Sequence, residues 1–175
     1  MTSALVTVDE VNIDRFALRK ALGCFVSGVT IVTTADRDDD VHGMTANAFT
    51  SVSLEPPLVL VSIANGAKMN ERIKRRGRYG VSILAKAQEP LSRHFAGVRL
   101  KSPVDVTFTW RAGVPLIEGA LVHLACTVTD SHLAGDHTLH IGHVDYLWHE
   151  PGEPLVFFTG SFRALNVEDW PSWGF

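Results

Sequence analysis

Residues 43–63, GMTANAFTSVSLEPPLVLVSI, gather the side chains best suited to holding a ligand. Gly43, Thr45, Ala46, Asn47, Thr50 and Ser51 are small or carry a hydroxyl or amide, so they offer hydrogen bonds and room for a close approach to the backbone. Asn47 in particular brings an amide into a strand-like run, where it needs a partner. The pair Pro56-Pro57 supplies no amide donors and punctuates the chain. The apolar run Leu58–Val61 follows, and its lack of alternation predicts a strand buried on both faces. A flat aromatic ligand with polar edges suits this surface, and so does a tight strand–turn–strand in a barrel with no ligand at all.

The familiar nucleophile, metal and phosphate motifs are missing: there is no GxSxG, HExxH, CxxC or GxxxxGK[ST], and no GxGxxG follows a strand. Among eight histidines, His132, His137, His140 and His143 invite a metal hypothesis. On a strand the side chains alternate, so His137 and His143 share a side while His140 points away. No cysteine or acidic partner falls at ligand spacing, and no metal is expected. A chain without an acid–base pair fits redox chemistry in which an organic cofactor does the hard work.

The elements that must position these residues are mostly strands. A first helix is expected from Asn12 as its cap, with Asp14 near its positive end and an apolar stripe at Leu18, Leu22 and Phe25. Residues 29–35 read as a strand, Asp36 to Asp40 as an acidic turn, and 41–51 as the returning strand of a hairpin. Residues 67–76 are helical and stop at Gly77, carrying a basic cluster of Arg72, Lys74, Arg75 and Arg76, with Arg78 beyond, that reads as a solvated face. A strand at 79–84 and a short helix at 86–96 follow. Strands are expected at 104–110, 121–130, 137–149 and 155–159, with turns at Ala134-Gly135-Asp136 and at 151–154. About seven strands with few crossover helices favour an antiparallel barrel over a doubly wound sheet.

With 175 residues, 46% hydrophobic and 20% charged, the chain reads as one soluble domain over 1–175, residues 1–11 and 166–175 being terminal extensions. A net charge of −3 gives no electrostatic case for nucleic acid or an anionic membrane as partner. No apolar run approaches a bilayer span, and the N-terminus lacks the features of a secretory signal. Cys24 and Cys126 are expected as reduced, buried thiols in a cytoplasmic protein.

GMTANAFTSVSLEPPLVLVSI resembles the signature of the flavin reductase domain family, the small reductase components of two-component flavin-dependent monooxygenases. Four later stretches agree in order and spacing: YGVSILAKAQEPLSRHFAG at 79–97, VPLIEGALVHLACTV at 114–128, AGDHTLHIGHV at 134–144 and PLVFFTGSFRAL at 154–165. The resemblance spans about Phe16 to Leu165 and implies a mainly β fold with a few helices: an antiparallel, Greek-key split β-barrel of the FMN-binding type, present as a homodimer. It implies an NAD(P)H:flavin oxidoreductase that takes FMN or FAD and supplies reduced flavin, by diffusion, to a separate monooxygenase. Hydride transfer between two rings needs positioning rather than a protein nucleophile, so no catalytic side chain is expected. A flavoprotein that keeps its flavin as an oxidase or electron carrier, a non-enzymatic flavin-binding module and a split-barrel interaction protein share the same fold.

By the same resemblance the flavin lies along Met44, Thr45, Ala46 and Asn47, with Thr50 and Ser51 toward its ribityl chain or phosphate. Ser62, Ile63 and Ala64 continue the wall, Lys68 pairs with phosphate, and Phe95-Ala96-Gly97 closes over the ring. His137 is the candidate nicotinamide contact, its rival reading being a turn histidine tied to Asp136. Phe162 and Arg163 approach the same pocket. Trp170, Trp173 and Phe175 lie in the unmatched tail and need cover.

Overall fold

The computed structural model describes residues 13–36 and 40–165. Asn12 and the tail with Trp170, Trp173 and Phe175 lie outside the described residues. The first helix, α1 (Arg15–Leu22), is capped by Asp14, whose Oδ2 accepts from the Ala17 amide at 2.9 Å. Its expected apolar stripe is not buried: no residue of α1 is, and Phe16 and Phe25 are 71% and 81% exposed.

After α1 come β1 (Ser27–Gly28), β2 (Thr30–Ala35), β3 (Val41–Ala46), β4 (Phe49–Leu54) and β5 (Pro57–Ala64). Helix α2 (Lys68–Arg76) ends at Gly77, which takes φ 65°. Then follow β6 (Arg78–Ile83), α3 (Glu89–Phe95), β7 (Phe108–Arg111), β8 (Val114–Ile117), β9 (Val122–Ala134), β10 (His137–His149), β11 (Val156–Phe158) and β12 (Ser161–Arg163). Seven strands form one sheet in the order β3-β2-β6-β9-β10-β5-β4, antiparallel throughout. Strands β3 and β4 are its two edges, so the sheet is split rather than hydrogen-bonded shut, and the short link Asn47-Ala48 joins those edges. Among the described residues no helix is long and apolar enough to cross a membrane.

Further expectations change among the strands. Residues 41–51 are not one strand: β3 pairs with β2, whereas β4 turns away to pair with β5, and the break falls at Asn47. Strand β5 is not buried on both faces; Val59, Val61 and Ile63 are buried while Leu58, Leu60 and Ser62 are half-buried, because one side alone faces the core. Burial at every position falls instead to the short β8 and to β2. Its Val32 joins Val61, Ile63, Met69, Ile73 and Tyr79 on one side, and its Ile31 joins Leu84, Ile117 and Leu155 on the other. Finally, residues 151–154 do not make a hairpin, since β11 pairs with β1 and β12 rather than with β10.

The basic run at 72–78 is exposed at Lys74, Arg75 and Arg76, as a solvated face should be, and three of its members also make ion pairs. Arg72 reaches Asp36 and Asp40, Arg75 pairs with Asp36, and Arg78 reaches Asp145 at 2.8 Å, which binds α2 and β6 to the neighbouring hairpins.

Gly142 on β10 lets the buried Tyr79 ring lie against the strand. A Cβ there would stand 2.4 Å from the Tyr79 hydroxyl oxygen and 2.9 Å from Cys126 Cβ, and Tyr79 is 0% exposed and cannot swing away. Gly142→Ala should therefore cost about 1–3 kcal/mol by overpacking. Denaturant unfolding checks this; an unchanged midpoint would mean that the ring has room to move.

Candidate functional site

Strand β3 carries two sets of side chains. Met44 and Ala46 turn into the core beside α2, and the Ala46 carbonyl accepts from the Thr30 hydroxyl at 2.7 Å. Gly43 and Thr45 face α3 instead. Thr45 Oγ1 donates to the Ser92 carbonyl at 2.7 Å, and the Phe95 ring sits so close over Gly43 that a Cβ would meet its Cε1 at 2.4 Å. The room that Gly43 offers is thus filled by the chain's own phenylalanine. Ala96 and Gly97, exposed, follow Phe95, with Gly97 at φ 74° turning the chain off the helix. Arg93 of α3 lies 4.9 Å from the centroid of the Phe162 ring, which also packs edge-on against Phe157. These contacts make one wing: Gly43 and Thr45, the end of α3, and Phe162. Arg163 is exposed, and its guanidinium donates to the Phe162 carbonyl at 3.0 Å.

The second wing is the end of β5. The Ser62 amide donates to the Ala48 carbonyl at 2.9 Å, which brings the exposed Asn47 to this end. Asn47 lies in the link rather than within a strand, so its amide faces solvent instead of needing a buried partner. Ile63 sends its side chain into the core and presents only backbone, whereas Ala64 is exposed. Asn70 Nδ2 donates to both the Ile63 and Ala64 carbonyls, at 3.2 and 2.7 Å. Lys68, exposed, opens α2 just beyond. Its charge is felt by His42 on β3, whose pKa is lowered first by burial and then by Arg72 and Lys68. Thr50 and Ser51 are exposed on β4, opposite Leu60 and Val59, and so lie further from this end than Phe49 does.

His137 pairs in register with Ala64 across β10 and β5. Its Nδ1 lies 2.7 Å from Asp136 Oδ1, and this hydrogen bond is the first cause of the lowered Asp136 pKa. The contact engages one ring nitrogen of a side chain that is 41% exposed. His143 is tied to Asp145, while His140 points to the opposite face and is fully buried. Among the described residues no three or more His, Cys, Asp or Glu come together to hold a metal ion.

The two wings meet at Asn47-Ala48. Together they offer small exposed side chains, a strand end, one cation at Lys68, one imidazole at His137 and the edge of an aromatic residue at Phe95. Such a donor set suits a planar ligand bearing an anionic tail, with a second ligand on the His137 side. Sequence reasoning did not single out Ser92, Arg93 or Asn70 as parts of this arrangement. A buried asparagine near the start of an amphipathic helix is the one signal that could have found Asn70.

Residues 22–166 match the family described as flavin reductase like domain. An NADH-dependent flavin reductase of a Rhodococcus species is 66% identical over 162 residues, which is 90% of this chain and 91% of that protein. The reductase component of 4-hydroxyphenylacetate 3-monooxygenase from Thermus thermophilus is 38% identical and spans 89% of this chain and 98% of its own length. Among solved structures, the flavin reductase PheA2 in its native state superposes with a TM-score of 0.83 at 48% identity, covering 87% of this chain and 99% of that one.

Proposed function

The chain belongs to the flavin reductase like domain family, and on that premise we propose how it works. It is an NADH-dependent flavin reductase, an oxidoreductase that passes a hydride from NADH to FMN or FAD. The reduced flavin serves a separate monooxygenase. The observation that carries this reading is the 66% identity, over nine-tenths of the chain, to an NADH-dependent flavin reductase.

The flavin, when bound, supplies the electron-accepting ring; the protein's residues bind, orient and exclude water. The flavin wall is made by Met44, Thr45, Ala46 and Asn47 on β3 and the link, and by Ser62, Ile63 and Ala64 on β5. Met44, Ala46 and Ile63 contribute backbone there, because their side chains pack into the core. Lys68 attracts the phosphate, and Thr50 and Ser51 reach the more distant polar chain. Phe95, Ala96 and Gly97 close one side. His137 holds the nicotinamide, with Phe162 and Arg163 bounding its approach. Two rings held face to face need no protein acid or base, which fits a site built from small side chains and amides.

Steady-state NADH oxidation with and without added flavin tests this. Turnover should depend on added FMN or FAD and saturate in both substrates. Purified protein that keeps stoichiometric flavin through prolonged dialysis, and oxidises NADH without any added, would overturn the exchange of flavin and favour a retained cofactor.

The protein acts as one domain and as a homodimer. Leu54, 92% exposed at the end of the edge strand β4, and the apolar residues Phe16, Leu22 and Phe25 around α1 are left uncovered by the described residues of one chain. Light scattering at micromolar concentrations should give twice the chain mass; a monomer mass throughout that range would refute the dimer. Cys126 is buried as expected, but Cys24 is exposed because α1, which it follows, buries none of its residues; both thiols are free, in keeping with a cytoplasmic site of action.

A further inference from the structure

We propose that His140 is a positioning residue: it fixes the side-chain amide of Asn70, and through it the course of the chain where β5 gives way to α2. This rests on the reading of Ala64 and Lys68 as part of the flavin wall.

Asn70 is 2% exposed, and both hydrogens of its Nδ2 go to backbone carbonyls, those of Ile63 and Ala64. Its Oδ1 must then accept, and the donor is His140 Nε2 at 2.6 Å. Nε2 therefore carries the ring proton, and Nδ1, with a lone pair, receives the Ser131 hydroxyl at 2.8 Å. Every donor in this relay has an acceptor: Ser131 to His140, His140 to Asn70, Asn70 to two successive carbonyls. The imidazole is 0% exposed, and its pKa is lowered by burial and by Lys74, which keeps it in the neutral form that the relay needs.

The relay decides which way the amide of Asn70 faces. With a donor at Nε2, the oxygen must turn to His140 and the NH₂ to the carbonyls. Without that donor, Oδ1 is buried and unpaired, and an amide flipped to expose it would set oxygen against two carbonyl oxygens. The carbonyls held by Asn70 lie at the exit from β5. Immediately beyond, the Asn65 amide donates to the Asp136 carbonyl at 2.9 Å, and Thr138 donates to Asn65 Oδ1 at 2.8 Å. Asn70 thus grips the inner side of a turn whose outer side is held by the β9–β10 hairpin. Ala64 and Lys68 stand at the two ends of that turn. Loosening it displaces the flavin contacts while His137 remains held in the β10 ladder.

His140→Leu and His140→Gln separate this role from packing. Leucine fills the space and carries no donor, whereas the glutamine amide can place an NH₂ where Nε2 stood. His140→Leu should raise the FMN KM, and the FMN Kd read by fluorescence quenching, about fivefold to twentyfold. The KM for NADH at saturating flavin should stay within about twofold, and His140→Gln should recover most of the loss. Lowered melting temperatures in both variants with an unchanged flavin KM would overturn the proposal and leave His140 a packing residue. A wild-type protein that neither binds nor reduces flavin would overturn it together with the reading beneath it, and the wild-type arm tells these failures apart. Should His140→Leu fail to fold, the wild type gives a second test by NMR: FMN should shift the Asn70 side-chain amide signals, and signals that ignore saturating FMN would overturn the clamp.

Discussion

Gly43→Ala should raise the flavin KM by about tenfold while lowering stability by about 1–3 kcal/mol. The added Cβ would lie 2.4 Å from Phe95 Cε1 and 2.6 Å from Cδ1, well inside contact distance. Strand β3 is an edge strand, but its backbone at Gly43 is tied to Thr33 of the buried β2, whereas the Phe95 ring is a side chain. The ring must move, and it is the last residue of α3, held two positions along β3 by the bond from Thr45 to Ser92. Pushing the ring out therefore tilts the segment Phe95-Ala96-Gly97, the proposed closing side of the flavin site. A cycle with Phe95→Ala isolates the effect. Phe95→Ala alone should weaken flavin binding, and adding Gly43→Ala to it should change flavin KM little further, since the clash is gone. If Gly43→Ala lowers only the melting temperature and the flavin KM stays at its wild-type value, the end of α3 does not belong to the flavin site.

Local pattern carried much of this fold. The β-branched residues of β2 and the amphipathic residues of α2, closed by Gly77, fall where composition places them, because backbone preference and burial agree there. Where they disagreed, the reading slipped. Residues 41–51 look continuous, yet Asn47 marks a change of partner strand, a choice made by distant β2 and β5 rather than by neighbours in sequence. Leu58 and Leu60 look like core and are only half-buried, since β5 has one core face. The stripe on α1 has helical period without a place in the core of this chain. In the candidate site the same division holds. Small and hydroxyl-bearing residues at 43–51 are visible in the sequence, but what sits on them is not. The Phe95 ring over Gly43 and the Asn70 amide on Ile63 and Ala64 arise from contacts between elements, which no local window contains.

His137→Ala should raise the KM for NADH about threefold to thirtyfold and leave flavin affinity unchanged. The imidazole is tethered through Nδ1 to Asp136, and that contact leaves Nε2 for a second partner. If the ring is neutral, with its proton on Nδ1 toward the carboxylate, Nε2 accepts a hydrogen bond, as from the carboxamide of a nicotinamide. Each such bond is worth roughly 0.5–1.5 kcal/mol net, and more where a doubly protonated ring instead donates Nε2–H to a charged phosphate, which sets the range of the effect on KM. The competing scaffold role is weak on energetic grounds. Both partners are well exposed, Asp136 at 94% and His137 at 41%, and a solvent-screened contact of that kind adds little to stability. The backbone pairing of His137 with Ala64 does not depend on the side chain and survives the substitution. The melting temperature should therefore stay near wild type while the kinetics change. Asp136→Asn sharpens the test: it keeps a side chain beside Nδ1 but removes the charge that orients the ring, and should raise the NADH KM by less than His137→Ala does. A His137→Ala protein with wild-type NADH KM and a clearly lowered melting temperature would instead assign the residue to the turn, and the nicotinamide contact to another side chain.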